Sequence, residues 1–76
     1  MTPKLPAVTA KALARVAQRL GFQFRRQRGS HAIYVRASDG RRVVIPMHSG
    51  QDLKPKTLRG IVADLGISLD EFRAML

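Results

Sequence analysis

Cysteine is absent from this chain, carboxylates number five in 76 residues, and histidine occurs twice. The absence of cysteine excludes disulfides, and so few histidines and carboxylates leave a structural zinc site short of ligands. Neither metal nor cofactor is expected. Aromatic residues make up 5% of the chain, and the Phe22 and Phe24 pair reads as core rather than as a base-stacking platform. No apolar stretch exceeds five residues, far short of a membrane span, and the opening MTPKLPAVTA carries no secretory apolar core. A cytoplasmic protein with no membrane partner is the expectation. The length suits one small domain over residues 1–76, burying about 60% of its unfolded surface. No internal repeat or linker interrupts it.

Positive charge is abundant. Fourteen Lys and Arg, ten of them arginine, against five acidic residues give a net charge of +9. Such an excess implies an anionic partner, either nucleic acid or an acidic protein, and arginine forks suit phosphate geometry.

Residues 1–8, with Pro3 and Pro6, read as an extended lead-in. Thr9 is placed to cap a helix running to Leu20, whose Leu13, Val16, Ala17 and Leu20 fall at i, i+3, i+4 and i+7 before the stop at Gly21. Pro55 starts a second helix with the same spacing in Leu58, Ile61, Val62 and Leu65, closed by Gly66. Ser68 and Glu71 have capping-box spacing ahead of a short final helix, where Phe72, Met75 and Leu76 add apolar cover. Between the helices, Phe22–Arg28, His31–Ala37 and Arg42–Pro46 read as three strands of an antiparallel meander, within an α+β fold. Gly29 and Ser30 make a type II′ turn, and Asp39 and Gly40 a type I′ turn.

Two-residue turns predict a register. Arg28 faces His31, Ser38 faces Arg41, Val35 faces Val44, Ile33 faces Pro46, and a persisting ladder brings His31 opposite His48. One sheet face then carries Phe22, Phe24, Ile33, Val35 and Val44, with Arg26, Arg28, His31 and His48 at its open end. The helices are expected over the apolar part of this face. The opposite face carries Arg25, Tyr34, Arg36, Val43, Ile45 and Met47, and its apolar residues suggest an interface. Strand alternation puts Arg25 and Arg26 on different faces, so they cannot serve one phosphate.

The chemistry concentrates at Gly29, Ser30 and His31. Histidine exchanges protons near neutrality, with an unperturbed pKa of about 6.5, and the surrounding arginines can hold phosphates. Ser30 reads as a turn residue, since no acid, base and serine arrangement accompanies it. Lys54, Lys56 and Arg59 sit about the start of the second helix, where backbone N–H groups also favour anions. On position alone, His31 could equally be a solvated strand residue, and His48, beyond a strand-ending proline, could merely bond a loop.

The order of these parts resembles the HicA toxins of toxin–antitoxin pairs: a helix ending in Leu20, Gly21 and Phe22, then RQRGSHAIYVR, then VVIPMHSGQDLKPKTLRGIV. The resemblance spans nearly the whole chain. It implies a fold like the double-stranded RNA-binding domain, with helix, three-stranded antiparallel sheet and helix. It also implies a messenger RNA interferase without a metal, His31 as its catalytic histidine, and a HicB antitoxin as partner. On that reading Arg26, Arg28, Gly29, Ser30, Lys54, Lys56 and Arg59 contact RNA, and His48 is a candidate second acid or base. Arg25, Tyr34, Arg36, Val43 and Ile45 would then meet the antitoxin. Two alternatives stay open on the residues: a non-catalytic RNA-binding module on the same fold, and a protein-interaction domain whose basic surface meets an acidic partner.

Overall fold

The computed structural model describes residues 7–48 and 51–76. The extended lead-in expected around Pro3 and Pro6 lies mostly outside them. The order is α1 (Ala10–Arg19), β1 (Gln23–Arg28), β2 (His31–Arg36), β3 (Arg41–Pro46), α2 (Pro55–Leu65) and α3 (Leu69–Ala74). The strands form one antiparallel sheet in the order β1-β2-β3, with helices before and after it. This is the topology of the double-stranded RNA-binding domain with a short added helix. Among the described residues, no helix is long and apolar enough to cross a membrane.

Local chemistry accounts for the helix ends. The Thr9 hydroxyl accepts from the Ala12 N–H at 3.2 Å, satisfying one of the free donors of α1. At its other end, Gly21 N–H donates to Gln18 O and Phe22 N–H to Ala17 O, both at 3.0 Å, a Schellman closure that requires the positive φ of Gly21 (94°). Pro55 opens α2, and Gly66 ends it in the left-handed region. The capping box of Ser68 and Glu71 is complete, with 3.0 Å bonds in both directions.

The sheet departs from the expected register twice. Between β2 and β3 the turn spans four residues, Ala37–Gly40, so Arg36 pairs with Arg41, Ile33 with Val44 and His31 with Pro46. The cause is Asp39. Its carboxylate accepts from Arg36 Nε at 3.0 Å, Arg36 NH2 at 2.8 Å and the Arg41 N–H at 3.2 Å, which folds it back onto the stem of the loop. The pairing therefore slides by two residues, an even step that leaves every side chain on its own face.

The second departure does change faces. A bulge between Phe24 and Arg26 leaves Arg25 unpaired, so that Phe24 opposes Tyr34 while Arg26 opposes Ile33. Phe24 consequently meets Tyr34 edge-to-face, with ring centroids 5.7 Å apart, but it stays 53% exposed, so only Phe22 of the expected core pair is buried. Phe22 joins Ala32, Tyr34, Val43 and Ile45 in the core with Leu13, Leu58, Val62 and Phe72. The helices thus cover the Tyr34, Val43 and Ile45 face, the reverse of the sequence expectation. Ile33 lies outside that core cluster, on the sheet face opposite the helices, where Val35 and Val44 are half-buried.

The Asp39 cluster also sets a pH dependence. Hydrogen bonding from Arg36, aided by the Arg41 N–H and by both positive charges, lowers the Asp39 carboxyl to about 2 against the opposing effect of desolvation. The same bond raises the Arg36 guanidinium. A carboxyl depressed on folding adds stability above its unfolded pKa, about 3.9, and loses it as pH falls toward 2. Thermal melts should therefore separate wild type from Asp39→Asn at pH 7, with wild type the more stable. The difference should shrink as pH falls from 4 through 2; a gap at pH 2 as wide as that at pH 7 would overturn the assignment.

Candidate functional site

The Gly29 and Ser30 turn closes β1 onto β2 as a two-residue loop, with Gly29 at φ 58° in its first position, and sets Arg28 opposite His31. Beyond Pro46 the ladder continues for one more bond, from Met47 N–H to Ser30 O at 2.6 Å. In this alignment His48 is a diagonal neighbour of His31, a relation that ordinarily separates residues by about 7–8 Å. The directly opposed pair expected from the sequence is corrected: Pro46 holds that position. Both imidazoles nevertheless line one cavity of about 430 Å³, together with Pro46, Asp52, Lys54 and Thr57.

The far wall of this cavity is held by the segment after β3. Leu53 N–H donates to Val8 O at 2.8 Å, and Thr9 forms an isolated antiparallel bridge with Asp52, so the segment is tied to the start of α1. This anchoring delivers Lys54 and Thr57 to the cavity. Lys54 is the N-cap of α2 and supplies no side-chain cap bond, while Pro55 occupies the first turn. The uncapped start of α2 therefore borders the cavity that the two histidines line, and a helix N-terminus is favourable to an anion. Both imidazoles are exposed, as acid–base chemistry on a large substrate requires.

The other expected contacts divide into groups. Arg26 shares a sheet face with His31 but lines a separate cavity beside Ile33 and Val35. Arg28, Lys56 and Arg59 are exposed outside the histidine cavity lining. Gly29 and Ser30 serve the turn through their carbonyls: Gly29 O accepts from Gln27 Nε2 at 3.0 Å, and Ser30 O accepts from Met47.

Three of the five residues expected to meet a protein partner are corrected. Val43 is 1% exposed and Ile45 fully buried, and Tyr34 is buried with them, because the helices cover their face. Arg36 spends its guanidinium on Asp39 and on Leu20 O at 3.0 Å, and lies 4.6 Å above the Phe22 ring. Arg25 remains exposed, and the bulge places it with Arg26 in one cavity rather than on opposite faces. The sequence reading missed Asp52 and Thr57. Thr57 stood in the Leu-Lys-Pro-x-Thr-Leu run that supports the family resemblance, two residues after the helix-opening proline. Asp52 carried no signal, since its place depends on the bridge to Thr9.

Among the described residues, no group of three or more His, Cys, Asp or Glu side chains is arranged to hold a metal ion. In comparison with known proteins, the family described as "HicA toxin of bacterial toxin-antitoxin" matches residues 10–67, from the start of α1 to the residue beyond the Gly66 stop. No curated protein matches the chain.

Proposed function

Because the chain belongs to the HicA toxin family, we propose that it is an endoribonuclease that cleaves messenger RNA without a metal, acts in the cytoplasm, and is neutralised by a HicB antitoxin. The observation that carries this reading is the sharing of one cavity by His31 and His48 beside the uncapped start of α2.

His31 acts as the base. It takes the proton of a ribose 2′-OH, the 2′ oxygen attacks the adjacent phosphorus, and the bond from phosphorus to the 5′ oxygen breaks. The leaving 5′ oxygen receives a proton from His48, which leaves a 2′,3′-cyclic phosphate on one fragment and a 5′-OH on the other. Charge gathers on the non-bridging oxygens during attack. Lys54 and the backbone N–H groups at the start of α2, which border the same cavity, stabilise it. Arg26, Arg28, Lys56 and Arg59 hold neighbouring phosphates and fix the register of the strand.

Dependence of cleavage on His31, measured in EDTA, is the decisive test. A second measurement addresses the phosphate contacts. With about four phosphates engaged on single-stranded RNA, log affinity should fall against log salt with a slope of roughly −3, at about −0.7 per phosphate. Lys56→Ala should make that slope shallower by about 0.7, whereas an unchanged slope would remove Lys56 from the RNA contacts.

A further inference from the structure

The face of the sheet turned away from the helices is built unlike an ordinary solvated face. Ile33, half-buried Val35 and the side chains of Arg25, Arg26 and Arg42 line a cavity of about 350 Å³. Ile33 is only 6% exposed although it lies outside the core cluster. The three arginines converge for a topological reason. The bulge at Arg25 adds a residue to β1, which puts Arg25 and Arg26 together, and the four-residue turn pairs Arg42 with Val35 in the floor.

We propose that this face is the docking surface for an acidic protein partner, the antitoxin of the preceding reading on which this inference rests. That partner would seat an aliphatic side chain against half-buried Val35, beside the nearly covered Ile33, and present carboxylates to Arg25, to Arg42 and, in competition with RNA, to Arg26. Charge complementarity supports the choice, since three guanidinium groups surround an aliphatic floor and no carboxylate lines the cavity. The floor also lacks an aromatic ring. Tyr34 is buried on the helix side, and Phe24, which opposes it in the ladder and stays 53% exposed, projects from that side and not from this one, so this face carries no ring on which single-stranded RNA could stack. The face is continuous with the functional site, because Arg26 opposes Ile33 and Arg28 opposes His31 along the same strand pair. A protein seated there stands beside His31 and closes access to it.

The test is titration calorimetry of the full chain with its purified antitoxin, paired with an RNA cleavage assay on the same preparations. Arg25→Ala/Arg42→Ala should weaken antitoxin binding at least 30-fold while RNA cleavage stays within about threefold, because both side chains are exposed and neither is placed at the histidine cavity. Val35→Glu, which sets a carboxylate among the arginines from within the chain, should weaken binding comparably. Unchanged antitoxin affinity in both variants, with melting temperatures near that of wild type, overturns the proposal. Loss of RNA binding with antitoxin binding retained also overturns it, and assigns the face to RNA. A wild-type chain that cleaves RNA but binds no antitoxin refutes the partner assignment itself, an outcome separate from failure of the surface.

Discussion

Replacing His31 by alanine is expected to abolish cleavage of a long single-stranded RNA in EDTA while leaving the domain folded. General acid–base catalysis contributes typically about 10²–10⁴-fold, so removal of the base should reduce the rate by that range. Stability should barely change. His31 is exposed, and its backbone stays in the β2 ladder whatever the side chain, so its loss should cost within about 0.5 kcal/mol. Circular dichroism and a thermal melt check the fold on the same sample used for cleavage. Full activity in the variant would remove His31 from the chemistry, and inactivity of wild type and variant alike would favour a binding module.

The second imidazole gives this experiment a finer readout. If His48 protonates the leaving oxygen, wild-type kcat/KM follows a bell against pH, with the base limiting the acid side and the acid limiting the alkaline side. His48→Ala should lower the rate and remove the alkaline fall. A profile identical to wild type would return His48 to a loop role.

Phe72→Ala is expected to bring the largest loss of stability. Phe72 is fully buried in α3 and packs into the core that also holds Leu58, Ile61 and Leu65. Truncating a buried phenylalanine to alanine costs about 3–5 kcal/mol in lost burial and residual cavity. A domain of this length has roughly 4–11 kcal/mol in total, at about 0.05–0.15 per residue. The melting temperature should therefore fall by roughly 15 °C or more. The result matters because α3 lies beyond the region that matches the family. Its attachment includes Ile67, Leu69 and Met75, packed against the core, and a 2.9 Å bond from Arg19 NH1 to Met75 O. A shift of only a few degrees would show that the core forms without the final helix.

Short-range signals were legible with little loss. Thr9, Gly21, Pro55, Gly66 and the Ser68 and Glu71 box each act within a few residues of the backbone groups they satisfy, and each ends or starts a helix where the spacing predicts. The Gly29 and Ser30 turn worked in the same way. It placed Arg28 opposite His31 because a two-residue loop leaves no freedom of register. The Asp39 and Gly40 turn misled, since the Asp39 carboxylate found two arginines and lengthened the loop by two residues. Pattern alone could not choose between the sheet faces. Both carry apolar residues, and the choice turned on one unpaired residue, Arg25.

The candidate site follows the same division. His31 and its neighbouring arginines are contiguous in sequence, so their association needed only a strand and a turn. Lys54 and Thr57 reach His31 from more than twenty positions away, through the bonds that tie Leu53 to Val8 and Asp52 to Thr9. Helix caps, strand order and the imidazole at the turn are consequences of interactions between near neighbours in the chain, and these can be read from spacing. The covered face, the meeting of both histidines with the start of α2, and the convergence of Arg25, Arg26 and Arg42 depend on long-range packing. A bulge of one residue redirects everything on one side of it, and no local periodicity records where packing will put it.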